Sequence, residues 1–187
     1  MTNVILDTLP ENVTIQGITY QFNTDFRVFM RFEMLMADPM VHDDFKSKLA
    51  LEMFYGEQFI VDEEEALQAI LFMYVGEEIS SDTQSKDLDP IYSFEEDGDL
   101  IYTSFMEAYG VDLSIEKMHW WKFKPLFYYL PESTIMRKVM GYRAKEITSD
   151  MSKEEIRFYQ DMKALYALKQ NKTASEKERD FADSLWG

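Results

Sequence analysis

The sequence predicts a mainly α fold: a compact helical domain of about six to eight helices with a small N-terminal β-hairpin. Three observations carry this. Apolar residues recur at three- and four-residue spacing through most of the chain. Cap residues and glycines bracket those runs. Strict alternation of apolar and polar residues appears in only one place, residues 13–22.

That stretch reads V-T-I-Q-G-I-T-Y-Q-F, two alternating runs around Gln16-Gly17, which is a hairpin signal. Two strands alone are marginal in water, so the hairpin must pack on something. Asn23-Thr24-Asp25 offers a cap for a first helix over 25–37, with one apolar row of Phe26, Phe29, Met30 and Met34 and a second of Val28, Phe32, Leu35 and Met36. A second helix follows over 43–55, with Phe45, Leu49 and Met53 at four-residue spacing and Gly56 as its stop. Asp62 caps a third, with Leu67, Ile70, Leu71, Tyr74 and Val75 expected inward, three glutamates in its first turn and Gly76 at its end.

Residues 77–98 are acidic and poor in large apolar side chains, and are read as a mobile loop. Helices resume over 99–109. A fifth is expected to follow Asp112 and Ser114, to contain residues 119–124, and to kink or break at Pro125. Pro131 suits the first position of a sixth, with Ile135, Met136, Val139 and Met140 inward. Ser152 and Glu155 have the capping-box spacing for a seventh, carrying Ile156, Tyr159, Met162 and Tyr166. Residues 1–170 thus read as one helical domain, and 171–187 as a polar tail or short helix.

Composition narrows the function. The 187 residues hold 19 Lys and Arg against 35 Asp and Glu, a formal net charge of −16, and no Cys. The missing Cys excludes disulfides, thiol catalysis and iron–sulfur clusters. The negative charge opposes phosphate and anionic lipid, so neither nucleic acid nor membrane is an expected partner. With no signal-peptide pattern and no long apolar run, a soluble protein of a cell's cytoplasm is expected. The charge is also segregated. Residues 57–107 carry 15 acids and one base, whereas 112–145 carry seven bases and three acids. Such an arrangement supports head-to-tail contacts between copies or docking of a charged partner, and equally describes two solvated faces.

Phosphate-cradling glycine motifs, nucleophile elbows and HExxH are absent from the sequence. Glu116-x-x-His119 has the spacing of half a di-iron carboxylate site, but such sites need the pair twice and His42 does not complete it. The acids of 87–99 do not keep the EF-hand register. No catalytic, cofactor-binding or metal-binding residue is therefore expected. What remains are 13 Met, many on helix faces, which suit adaptable apolar contacts as well as a core. Trp120-Trp121 are flanked by Lys117, Lys122 and Lys124. Adjacent helical residues point about 100° apart, so one Trp is expected in the core and the other on an interface. The candidate partner-binding residues are Phe26, Phe29, Met30, Phe32, Leu35 and Met36 on the first helix, and Trp120, Trp121, Lys122 and Lys124.

Over residues 99–143, the runs DLIYTSFMEAYGVDL, HWWKFKPLF and PESTIMRKVMGYR resemble the tailed-phage family called gene product fifteen. The resemblance spans roughly residues 10–170. It implies a tail assembly chaperone of long, non-contractile tails: a protein of the host cytoplasm that binds the helical tape measure protein, keeps it soluble, promotes tail tube assembly and is absent from the mature virion. The implied partners are the tape measure protein, the major tail protein and further copies of the chain; no enzymatic activity is implied. The alternative is an acidic DNA mimic occupying a basic site on a host or defence protein. Against it, many of the acids fall in the expected loop rather than on rigid elements.

Overall fold

The computed structural model describes residues 3–76 and 90–169. Among these residues, two strands and seven helices follow in the order β1 (Asn12–Ile15), β2 (Ile18–Gln21), α1 (Phe26–Ala37), α2 (Asp43–Tyr55), α3 (Glu63–Val75), α4 (Gly98–Tyr109), α5 (Trp120–Tyr128), α6 (Ile135–Ala144) and α7 (Lys153–Leu165). The mainly α expectation with a leading hairpin holds. Residues 77–89 of the expected loop, and the expected tail, lie outside the described residues.

β1 and β2 pair antiparallel with Val13 opposite Tyr20 and Ile15 opposite Ile18. Gln16 (φ 49°) and Gly17 (φ 77°) form the two-residue turn. Positive φ at both positions gives the turn twist that matches paired strands. Ile15 and Tyr20 are buried, so the hairpin closes over the helices. β1 packs on α3, while α1 packs on α2 and α5, α2 on α3, α4 on α6, and α6 on α7.

The caps read from the sequence form. Asp25 accepts from the Arg27 amide at 2.9 Å, Asp62 from the Glu65 amide at 3.0 Å, and Ser152 and Glu155 close a reciprocal capping box. Gly76 ends α3 with positive φ, as a left-handed cap requires. At the centre lie two ring sandwiches one turn apart on α5. The Trp120 indole stacks between Phe29 (5.1 Å) and Tyr74 (5.7 Å), and Phe123 between Phe26 (4.7 Å) and Phe105 (5.2 Å). Each fully buried large side chain contributes about 1.5–3 kcal/mol, and aligned ring pairs add about 0.5–1.5 kcal/mol.

Several expectations are corrected. Phe45 and Leu49 of α2 and Leu71 and Val75 of α3 point outward, at 62%, 41%, 39% and 41% exposure. Ala50, Phe54 and Tyr55 of α2 and Ala66, Ile70 and Met73 of α3 are the buried residues instead. Phe54 packs on the rings of Phe22, Phe29 and Phe32, and the Tyr55 hydroxyl donates to the Ala66 carbonyl at 3.0 Å, so these contacts fix which face turns inward. Asp112 and Ser114 do not open a helix: Asp112 accepts from the Ser114 amide and hydroxyl in a tight turn, and α5 begins only at Trp120. Pro125 lies inside α5, which continues to Tyr128. Pro131 precedes α6, its carbonyl accepting from the Thr134 amide and hydroxyl, and Thr134 is the cap residue.

The last part of the expected loop is built into the core. Phe94 is buried, meeting Trp120, Phe123 and Phe127, and Ser93 and Asp97 are buried with it. Asp97 forms a two-pronged ion pair with Arg143 of α6, at 2.6 and 2.9 Å. Arg143 also donates to the Ile91 and Tyr166 carbonyls. One guanidinium thus ties the segment before α4 to α6 and to the end of α7. α7 itself has no buried residue, its inward row being only half-buried.

Candidate functional site

Backbone pairing joins the starts of α1 and α5. The Phe26 amide donates to the Met118 carbonyl and the Trp120 amide to the Thr24 carbonyl, both near 2.9 Å. Arg27 reinforces this junction, donating to Asp25 and to the Leu113 and Glu116 carbonyls. His119 sits at the centre. Its Nδ1 accepts from the Trp121 amide at 3.0 Å and caps α5, while Nε2 lies 3.0 Å from the Pro10 carbonyl. The ring must therefore carry its proton on Nε2 and donate it to Pro10. Burial, the largest influence, holds its pKa below the ordinary value. Both ring nitrogens are engaged, so His119 is not a poised metal ligand. Among the described residues, no group of His, Asp and Glu is arranged to hold a metal ion.

The two tryptophans do not divide between core and interface: both are buried. The reason is the C-terminal end of α3, where four carbonyls lack helical partners. Phe72 is served by the Gly76 amide. The Met73 carbonyl accepts from the Trp121 indole at 2.7 Å, and the Tyr74 carbonyl from the Trp120 indole at 3.0 Å. Lys124 donates to the Tyr74 and Val75 carbonyls at 3.2 and 2.9 Å. The HWWKFK run is thus a tertiary cap. Two indoles straddle one helix end, which their 100° separation permits, and a cation meets the negative pole of the helix dipole.

Beside this cap, Glu33 of α1 accepts from the Tyr74 hydroxyl at 2.6 Å and from the Tyr92 hydroxyl at 3.4 Å. Burial raises its pKa above the ordinary 4.5, against the opposing pull of those hydroxyls and of Lys124. Burial likewise raises the Tyr74 and Tyr92 hydroxyls. Tyr74, Tyr92, Trp120, Lys124 and Tyr128 line an adjoining cavity of about 110 Å³. Sequence reasoning missed Glu33 and Asp97, because a lone acid on an apolar helix or in an acidic run carries no sign of its distant partner.

Of the candidate partner residues, Phe26, Phe29, Phe32, Trp120 and Trp121 are buried within this chain. Met30, Leu35 and Lys124 are half-buried, and Met36 and Lys122 are exposed. On the first three helices the exposed apolar side chains are Met36 together with Met34 late in α1, Phe45 and Leu49 early in α2, and Leu71, Phe72 and Val75 late in α3. Short connections make α1, α2 and α3 antiparallel neighbours, which brings these stretches to the same end of the three helices. α2, α3 and their connection carry eight acids and two bases. Among the described residues, no helix is long and apolar enough to cross a membrane.

The fold and this surface define a small helical protein with a sealed aromatic core and an acidic, apolar-faced helical flank. Residues 5–168 match the family model described as Bacteriophage Gp15 protein, and the chain belongs to that family. Comparison with curated proteins and with solved structures finds no match.

Proposed function

We propose that this phage protein is a non-enzymatic tail assembly chaperone that binds the tape measure protein in the host cytoplasm, keeps it soluble and promotes tail tube assembly. The observation that carries this reading is the family match together with the open apolar end of α1–α3. Large apolar side chains gathered at one end of three helices and left in water are a solubility liability unless something covers them. The acids of α2 and α3 favour a client helix with basic residues along its edges. Of the residues first suggested by sequence, Met36 belongs to this surface; the buried rings serve it by holding the three helices in place.

The test is co-expression with a tape measure protein from a phage that encodes this chain. The expected result is a soluble complex with the wild type and precipitated client with Phe45→Asp/Leu71→Asp. Both positions are exposed, so circular dichroism should show the variant folded. A client equally soluble with wild type and variant, or insoluble with both, would overturn the proposal.

A further inference from the structure

The connection between α2 and α3 presents Phe59 at 85% exposure, with Val61 at 45% beside it. Such display usually marks a loose loop, but this loop is pinned on both sides. The Gln58 amide donates to the Gln21 and Tyr55 carbonyls at 2.8 and 2.7 Å, and its oxygen accepts from the Gln21 amide at 3.2 Å. The Val61 amide reaches the Tyr20 hydroxyl, and Gln16 donates to Asp62 and Glu65. A ring held outward on a fixed loop pays little ordering entropy when it is buried by a partner. Exposed Glu57, Glu63 and Glu64 lie within a few residues of it along the chain.

A surface of matching character lies on other elements. Between α6 and α7 a groove of about 400 Å³ has Met140, Tyr142 and Tyr159 in its walls. Arg137, Lys138 and Lys145 stand along it, with Glu132 as the one acid among the described residues that line it. The plug belongs to the β1–β2, α2 and α3 side of the molecule, whereas the groove belongs to the α4, α6 and α7 side. Among the described residues, both are open in a single copy.

We infer that copies of this chain associate head to tail, the Phe59 loop of one entering the α6–α7 groove of the next. An aromatic plug on an acidic stretch of chain fits a groove with Met and Tyr in its walls and three bases along it, and the charges set both orientation and partner. Because the two surfaces differ, the contact is heterologous: each bound copy still offers one free plug and one free groove, so association continues into a chain or closes as a ring. This inference concerns self-association and does not depend on the client proposed above.

Two variants of the full chain test it. Phe59→Asp removes the plug and leaves the groove; Arg137→Glu/Lys138→Glu removes the groove and leaves the plug. All three positions are exposed, and circular dichroism checks that both variants fold. By analytical ultracentrifugation, the wild type should show species larger than one chain that dissociate as salt is raised. Each variant should sediment as a single chain. An equimolar mixture of the two should give a two-chain species and nothing larger, because only one plug and one groove remain. A wild type that stays single at every concentration, variants that still assemble alone, or a mixture that stays single would overturn the inference. A groove filled by another part of the same chain would give the first of those results.

Discussion

Around α5 the packing is ring on ring, whereas α6 adds polar ties to an aliphatic buried face of Met136, Val139 and Met140. Trp120, Phe123 and Phe127 meet aromatic partners from α1, α3, α4 and the segment before α4. At α6, by contrast, the Met136 amide is taken by the Ser104 hydroxyl at 3.0 Å, Arg143 grips Asp97, and Lys163 caps the Arg143 carbonyl at 2.6 Å. The difference matters for how each region fails. Stacked rings tolerate small shifts and lose stability in proportion to what is removed. A buried ion pair must be complete, because one charge without the other is worse than neither.

The largest effect is expected from Phe123→Ala. Phe123 is fully buried between Phe26 and Phe105 and also meets Trp120, Phe94 and Phe127. The cavity should cost about 5 kcal/mol, the upper end for such truncations, measured by urea unfolding. A loss below about 1 kcal/mol would mean the sandwich contributes little beyond one contact.

Arg143→Met should cost about 3 kcal/mol by leaving Asp97 buried and unpaired. Adding Asp97→Leu should restore much of that loss despite removing a further polar group. If the double variant is less stable than the single one, the pair is not governed by its desolvation penalty, and the contrast with α5 weakens.

The smallest effect concerns Glu33, a carboxylate that borders the aromatic region. The folded-state pKa of Glu33 is raised, chiefly by burial, so the folded chain holds that proton at a higher pH than the unfolded chain. Keeping Glu33 ionised therefore costs stability. The cost is absent below the unfolded value, grows as pH rises toward the folded one, and is constant above it. Glu33→Gln still accepts from the Tyr74 hydroxyl without the charge. Its melting temperature should exceed that of the wild type at neutral pH, and the advantage should vanish as pH falls below about 4. A variant less stable than wild type at neutral pH would show that Lys124 and the hydroxyls outweigh burial.

Much of this molecule was legible locally. Asp25, Asp62, Ser152 with Glu155, Gly17 and Gly76 announced helix starts, a turn and a stop, because a cap or a positive φ is settled by residues a few positions apart. The class of fold, the hairpin and the absence of recognised cofactor motifs followed from the same short-range chemistry and from composition. Tertiary structure decided which face turns inward when apolar residues ring a helix, as on α2 and α3, where the contacts of Phe54 and Tyr55 left Phe45, Leu49, Leu71 and Val75 outside. It also decided the fate of Trp120, Trp121 and Lys124, whose partners are carbonyls nearly fifty residues away. The same holds for Asp97, whose partner Arg143 lies 46 residues on. An orphan carbonyl or a buried carboxylate creates a demand that any nearby donor can meet, and only the packed chain determines which donor is near.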